Sequence, residues 1–427
     1  MKQFGILFLV FCLLFSLCAC KQKDSPLKET TEATYGSDET GESVPSIENA
    51  YPVLPAESDH PNTQISKEVA VPAEPLVAVS LTPKADTSSS GDGTKLFTYS
   101  YQNVTIYMPD FPDAAAAISN YFVDRKLEAD AAAGDLSSTA EQDRQQTEDD
   151  WSAYTFDLKY TPMRLDHKVL SFLEERVSWS GDAHPETSLS AVTFSGEDGS
   201  VLELSDILTG EEMAQVLYTM VLDTLAKRDT STNESVYFEN YTNIVKQNFE
   251  LGGEMAKNWY LTDTGIVFYF SPDEIADSEI GPINVEFTYS QLRGIIKEDF
   301  VPKVLPQCSA FSFNAARKEQ IQQENFDQVM TVTCDENGQG VSLFAGTTLY
   351  DVSVQKGHWT PTNKFVDDSV LFAANRLTEK DLLLINTYIP DAMPDLRLTA
   401  NCGNDEERSY YIFQSGKDGS ILLIDQI

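Results

Sequence analysis

Histidine is scarce, cysteine is nearly absent from the body of the chain, and basic residues are few. The 427 residues hold four histidines, six cysteines and 30 Lys plus Arg against 67 Asp plus Glu, for a formal net charge of −37. His60, His167, His184 and His358 lie far apart, with no His-x-x-x-His or similar spacing. Metal-assisted hydrolysis needs clustered nitrogen and carboxylate ligands to hold a cation that activates water, so no metal site and no cofactor are expected. A Gly-x-Ser-x-Gly elbow, a glycine-rich phosphate loop and an EF-hand loop are missing as well. No catalytic residue is assigned, and a non-enzymatic role is expected. Clustered Lys and Arg are what phosphate contacts require, so nucleic acid is excluded as a partner.

Cys12, Cys18 and Cys20 belong to the opening segment, leaving Cys308, Cys334 and Cys402. Three cysteines make no complete disulfide framework and match no zinc spacing. One pair at most can form. Cys334 and Cys402, both near ends of apparent strands, are the expected pair. Stability must then come mainly from buried apolar area.

What is present begins at the first residue. After Met1, Lys2 and Gln3 an apolar run extends from Phe4 through Ala19 and meets Cys20. A short basic start and an apolar core form a secretory signal. The run is short for a membrane span of about 20 residues. Its end, Leu17-Cys18-Ala19-Cys20, resembles the lipobox of bacterial lipoproteins. That resemblance implies cleavage after Ala19, acylation of Cys20, and a chain held by membrane lipid on the outer side of the cell membrane. The alternative is an ordinary signal peptide followed by a chance cysteine.

Residues 20–95 read as a lipidated cysteine and a disordered acidic tether, rich in Glu, Thr, Ser, Pro and Asp. Such composition buries too little apolar surface to offset its ordering entropy. Fully extended it would reach roughly 250 Å at about 3.4 Å per residue, enough to cross a thick wall.

Folded sequence is expected from about residue 96. Phe97, Tyr99 and Tyr101 alternate with polar residues as in a half-buried strand, and Val104, Ile106 and Met108 continue on the opposite parity. A parity change flips side chains across a sheet, so a turn or bulge is expected at Gln102-Asn103. Pro112 and Asp113 open a helix, and a second helix and loop are expected up to residue 150. Strands are expected over 154–160, 169–179 and 188–194, the last running into a Gly196–Gly199 turn. Thr209 and Glu212 have capping-box spacing, ahead of a stripe at Met213, Val216, Leu217, Met220, Val221 and Leu225. Strands follow at 259–261, 266–270 and 283–289, with a last short helix from Ser290 to Ile296. Beyond Pro302, seven short strands are expected, near 328–334, 341–344, 349–354, 382–388, 396–402, 410–414 and 421–424. That spacing argues a β-sandwich. The fold class is therefore α+β: antiparallel sheets with packed helices over about 96–300, then an all-β sandwich over 303–427.

Several local patterns occur in a fixed order. They are Tyr107-Met108-Pro109 before a helix with Ile118-Ser119-Asn120; Ser180-Gly181-Asp182-Ala183-His184-Pro185 before Thr193-Phe194; and Gly199-Ser200-Val201-Leu202-Glu203-Leu204 leading to Ser205-Asp206-Ile207-Leu208. Then come Phe268-Tyr269-Phe270-Ser271-Pro272-Asp273-Glu274-Ile275-Ala276, Gly281, Tyr289 and Leu292. Together they resemble the paired extracellular domains of the peptidoglycan deacetylase PdaC and the anti-sigma factor RsiV. The resemblance implies a PdaC-like α+β domain over 96–183, an RsiV-like domain over 184–300, and binding duties in the cell envelope. Where that pattern has a second glycine before Ala-His, this chain has Asp182. The deacetylase catalytic domain is absent, and only three residues precede the apolar run, so no cytoplasmic sigma-binding segment is expected. In RsiV-like proteins the region is a lysozyme receptor, which makes a cationic, lysozyme-like protein the first expected partner. Peptidoglycan is the second, and an enzyme with an unrecognised site the third.

Asp182 and His184, two apart on an expected loop, are the candidate ligand-binding pair. The competing reading is a turn in which Asp182 accepts backbone bonds and His184 packs on Pro185. Glu174 and Glu175 are adjacent on a strand and so face opposite sides. Asp335-Glu336-Asn337-Gly338 reads as a turn before it reads as a calcium loop. Trp151, Trp179, Trp259 and Trp359 could stack sugars, but each is expected to complete a core.

Overall fold

A computed structural model of the chain describes residues 74–146, 151–230, 235–250, 257–303, 311–390, 393–401 and 407–425. The signal residues Leu17, Cys18, Ala19 and Cys20, the stretch up to residue 73, Cys308 and Cys402 lie outside these.

The described chain opens with a strand where a tether is expected. β1 (Ala78–Ser89) pairs antiparallel with β2 (Lys95–Tyr107) along its whole length. Val77, Ala78, Val79 and Leu81 are fully buried, which explains why a short apolar island at the end of an acidic stretch folds. Pro83 is tolerated because the third strand beside β1 accompanies it only through Ser80, so the edge at Pro83 has no ladder partner there.

β2 is also continuous. No turn or bulge occurs at Gln102-Asn103, and its register with β1 runs unbroken from Thr98 to Tyr107. The parity switch instead marks a change in which face is covered. Phe97 and Tyr99 lie on one side, and Gln102, Val104 and Ile106 on the other. Gln102 is buried, accepts from the Tyr160 N–H at 2.7 Å and donates to the Val370 carbonyl at 3.0 Å.

α1 (Pro112–Gln146) is one helix of 35 residues, not a helix, a loop and a second helix. Ile118, Phe122, Ala129, Ala133 and Ala140 form its buried stripe, and the alanines both favour helix and let it lie close to the sheet. It covers β2 and the meander β3 (Tyr154–Leu165), β4 (Val169–Trp179) and β5 (Glu186–Ser195). Phe122 meets Tyr160 and Phe172 edge-on, each at 5.0 Å. The boundary expected at 183/184 falls between β4 and β5, which pair from Val169–Ser195 to Ser178–Glu186, so one sheet spans it.

The chain continues through α2 (Leu204–Ile207), α3 (Glu212–Thr230) and α4 (Tyr241–Glu250) to β6 (Trp259–Leu261), β7 (Gly265–Phe270) and β8 (Ile283–Thr288). The last three form a separate sheet in the order β6-β7-β8. All six residues of β7 are buried because both of its faces are covered. Val267 and Tyr269 pack on Leu173, Leu189 and Ala191 of the large sheet, while Phe268 and Phe270 join Leu217, Val221 and Leu225 of α3. The result is four layers: helix, sheet, sheet, helices. Val216 lies outside the buried stripe at 39% exposure. Thr209 does not cap α3, since its hydroxyl donates to the Gly294 carbonyl at 2.7 Å; the capping box is formed one helix earlier by Glu203 and Asp206. The helix expected after Ser290 is a series of turns, because Gly294 at φ 79° leaves the helical region.

Nine strands complete the described chain: β9 (Phe313–Arg317), β10 (Gln328–Thr333), β11 (Val341–Ala345), β12 (Leu349–Trp359), β13 (Phe365–Leu377), β14 (Asp381–Asn386), β15 (Leu396–Asn401), β16 (Glu407–Gln414) and β17 (Ile421–Ile424). They make a sandwich, with nine strands in place of the seven expected and with β1, from outside the expected 303–427 span, in its large sheet. A four-stranded sheet, β10-β14-β11-β9, packs on one wing of a ten-stranded sheet ordered β17-β16-β15-β12-β13-β1-β2-β3-β4-β5. The fold is α+β and mostly antiparallel, with parallel pairs β2–β3 and β10–β14. β1, hydrogen-bonded to β2 on one side and to β13 on the other, fuses the sandwich to the helix-bearing half. No helix among the described residues is long and apolar enough to cross a membrane.

Candidate functional site

A gathering of charge lies where the sandwich meets the helix-bearing half. It begins with a β-bulge. The β3–β4 register slips between Pro162 and Arg164, and a bulge re-aims the side chain it carries. Arg164 is left 2% exposed. Its guanidinium donates to Asp166 Oδ2, to the Tyr289 hydroxyl and to the Phe300 carbonyl, each at 2.6 Å. The other Asp166 oxygen accepts the Lys168 and Val169 N–H groups at 2.7 and 2.8 Å, which shapes the β3–β4 turn. His167, next in that turn, pairs through Nδ1 with Glu74 Oε1 at 2.7 Å. The Glu74 carbonyl in turn accepts from Arg376 at the end of β13.

Above this hub opens a cleft of about 280 Å³ lined by Arg164, Asp263, Asp351, Ser353, Gln355 and Glu407 among others. Asp263 comes from the β6–β7 turn. Asp351 comes from an irregularity in the β12–β15 pairing and holds a left-handed φ of 47°. Surrounding protein pushes the Asp263 carboxyl up to about 6; Arg164 opposes this, and Asp166 and Glu74 add to it. Asp351 is pushed up to about 7 by the same crowding, then by the Asp263 and Glu74 charges. Both side chains nevertheless keep a water-exposed side, and that exposure tempers the shifts because water on that side offsets the desolvation and screens the neighbouring charges.

Glu74, Asp166 and His167 place one ligand atom each within 4.8 Å of one another, the one such group among the described residues. Both Asp166 oxygens are already occupied, and the adjacent guanidinium repels a cation. The cleft above suits a mono-cationic group that hydrogen-bonds carboxylates better than a metal ion demanding several free ligands.

Sequence reasoning placed its candidate pair elsewhere. Asp182 and His184 are both exposed in the segment joining β4 to β5. Asp182 Oδ2 accepts from Ser180 at 2.8 Å, and its carbonyl accepts from Trp179 Nε1 at 2.7 Å. That is a turn, at the opposite end of the β3–β4 hairpin from the cleft and about 30 Å away at 3.3 Å per residue. Glu174 and Glu175 do face opposite sides of β4. Glu174, 4% exposed, takes two bonds from Arg125 and one from Arg176. Of the four tryptophans only Trp259 completes a core, against the expectation for all; Trp151 stacks on Tyr154, Trp179 meets Tyr154 edge-on, and Trp359 packs on Phe365 and Tyr411, all three half-buried. Asp335 accepts the Asn337 N–H at 2.9 Å, as a turn requires.

Cys334 is a free, half-buried thiol pushed up to about 11 by burial; Cys402, its expected partner, lies outside the described residues.

Comparison with known proteins gives a family profile of unknown function, DUF3298, matching residues 205–290. The match covers α2 through β8. No curated protein matches the chain. Among solved structures, a DUF3298 family member from Bacteroides fragilis is similar at 13% identity and TM-score 0.39, over 53% of this chain and 96% of that one. Another from Pseudomonas aeruginosa is similar at 14% identity and TM-score 0.34, with the same coverage. Neither likeness is close enough to transfer fold or function.

Proposed function

We propose that this is an envelope-facing binding protein, lipid-anchored through Cys20, whose acidic cleft receives a lysine or arginine side chain of a cationic partner protein. The observation that carries the reading is the imbalance of charge in the cleft. Asp263, Asp351 and Glu407 line it together with a single cation, Arg164, whose hydrogen bonds go to Asp166, Tyr289 and Phe300. Burial is the first cause that raises both aspartates and neighbouring carboxylates add to it; an incoming ammonium or guanidinium group would favour their charged forms against both. The net charge of −37 supplies long-range attraction for such a partner. A lysozyme-like protein has the required charge.

The test is lysozyme binding to the purified chain at low and moderate salt, beside the Asp263→Asn/Asp351→Asn double variant. The double variant is expected to bind at least tenfold more weakly, with the wild-type interaction weakening as salt rises. Equal affinity of the double variant at low salt would remove the cleft from the interface.

A further inference from the structure

A second cleft, at the far end of the sandwich, has different chemistry. It encloses about 420 Å³ between the loop after β10, the segment after β14, the end of β9 and the β16–β17 turn. That is within the range of roughly 300–1,000 Å³ usual for small-ligand sites. Its polar walls carry Asn337, Gln339, Gln414, Thr387 and Arg317. On the rim stands Tyr388, 66% exposed, a large aromatic that the core does not use.

Arg317 is the ordered element. Its Nε donates to the Gly419 carbonyl at 2.5 Å, and Gly419 sits at φ 68° in a turn where an added Cβ would fall 1.6 Å from Arg317 Nη2. Glycine at this position is what lets the guanidinium lie against the turn. With its amide oriented to satisfy both neighbours, Gln414 accepts from Arg317 Nη2 at 3.1 Å and donates to the Ile389 carbonyl at 3.3 Å. Among the described residues Arg317 has no carboxylate partner, although the chain holds 67 acidic side chains. A fixed guanidinium with donors to spare matches a carboxylate. Planar amides and hydroxyls match vicinal hydroxyl groups, and an exposed aromatic ring supplies an apolar face for a sugar ring.

We infer that this cleft binds a carboxylate-bearing saccharide, with Arg317 on the carboxylate, Tyr388 under the sugar ring, and Asn337, Gln339 and Gln414 on its hydroxyls. The site is separate from the acidic cleft and does not depend on it.

The test is saturation-transfer NMR on the full chain with three probes: glucuronate, glucose and acetate. Glucuronate is expected to show ring-proton saturation that glucose and acetate do not match at equal concentration. Tyr388→Ala, at an exposed position that leaves the fold intact, should reduce that signal at least tenfold, and Gln339→Ala should reduce it less. Absence of a glucuronate signal overturns the inference, as does an equal response from acetate or glucose, or a signal unchanged in Tyr388→Ala.

Discussion

Arg164 donates to the Tyr289 hydroxyl at 2.6 Å, and that bond ties the bulged end of β3 to the end of β8 in a different sheet. The same guanidinium holds Asp166 and the Phe300 carbonyl, so a single buried cation joins two layers and the segment leading into the sandwich. Removing one partner of a buried ion pair leaves the other charge uncompensated. Arg164→Met is expected to cost about 3–5 kcal/mol in urea unfolding, and Tyr289→Phe about 1 kcal/mol. A loss for Arg164→Met no larger than that for Tyr289→Phe would show that the hub carries no special weight.

The acidic cleft makes stability depend on pH in a defined direction. Asp263 and Asp351 have folded pKa values, about 6 and about 7, above their ordinary 3.8, so the folded state holds these protons more tightly than the unfolded one. Their destabilising effect is absent below about pH 4, grows from there to about pH 6 for Asp263 and about pH 7 for Asp351, and levels off above. Thermal midpoints should fall between pH 5 and pH 8. Asp263→Asn/Asp351→Asn should flatten that fall while leaving the general self-repulsion of an acidic chain in place. Parallel pH profiles of the two proteins would mean that water screens both carboxylates fully.

Two turns share the sequence pattern Ser-Gly-x-Asp-Gly-Ser, at 195–200 and 415–420. In each, the second glycine has positive φ and its N–H donates to the first serine's carbonyl. Their surroundings differ. A Cβ at Gly199 would meet the Ala114 carbonyl oxygen at 2.6 Å and Ala117 Cβ at 2.8 Å, whereas one at Gly419 meets the far end of the Arg317 side chain, which can swing aside by giving up its bond to the turn. Gly199→Ala is therefore expected to cost about 2–4 kcal/mol. Gly419→Ala should cost nearer the backbone strain alone, about 1–2 kcal/mol. Chemical denaturation of both variants distinguishes them, and equal losses would show that packing against α1 is not tight.

Glu174 sits under α1 with Arg125 and Arg176 converging on it. Glu174→Ala leaves two guanidinium groups facing a buried gap and is expected to cost about 3 kcal/mol. Arg125→Lys, which keeps the charge but loses the bidentate fork, should cost distinctly less. A surface-like loss below about 0.5 kcal/mol for Glu174→Ala would mean that water reaches the network.

The elements legible in the sequence were those with one buried face and a clean period: β3 through β8, the stripe of α3, and most sandwich strands. β1, β9 and β13 were missed, and β1 and β13 share a reason. Each carries polar residues such as Lys84, Asp367 and Asp368 along a stretch where its neighbours stop covering it, so neither reads as alternating over its full length. The parity break in β2 was a true signal with another cause, a change of covered face instead of a turn. The acidic cleft was not legible at all. Arg164, Asp166, Asp263 and Asp351 come from elements nearly 200 residues apart in sequence, and only a bulge, the large sheet that holds β3 and β12, and the packing of the β6–β8 sheet on it bring them together. Asp182 and His184 stood out because they are close in sequence, which is a poor guide to which groups meet in a fold.

The long reach of β1 also sets the order in which the molecule can be assembled. The Val77 N–H donates to Asn375 Oδ1 across 298 residues, and Ala78 pairs with Ala374. A chain emerging from its N-terminus must keep one edge of β1 unsatisfied until β13 has been made, and such distant closures are slow to form. During that interval a hydrophobic strand edge is open to neighbours. A fragment ending at residue 303 keeps that edge permanently and should self-associate in light scattering. The sandwich thus acts as the lid that ends a vulnerable stage of folding, and it cannot be trimmed away as an independent passenger.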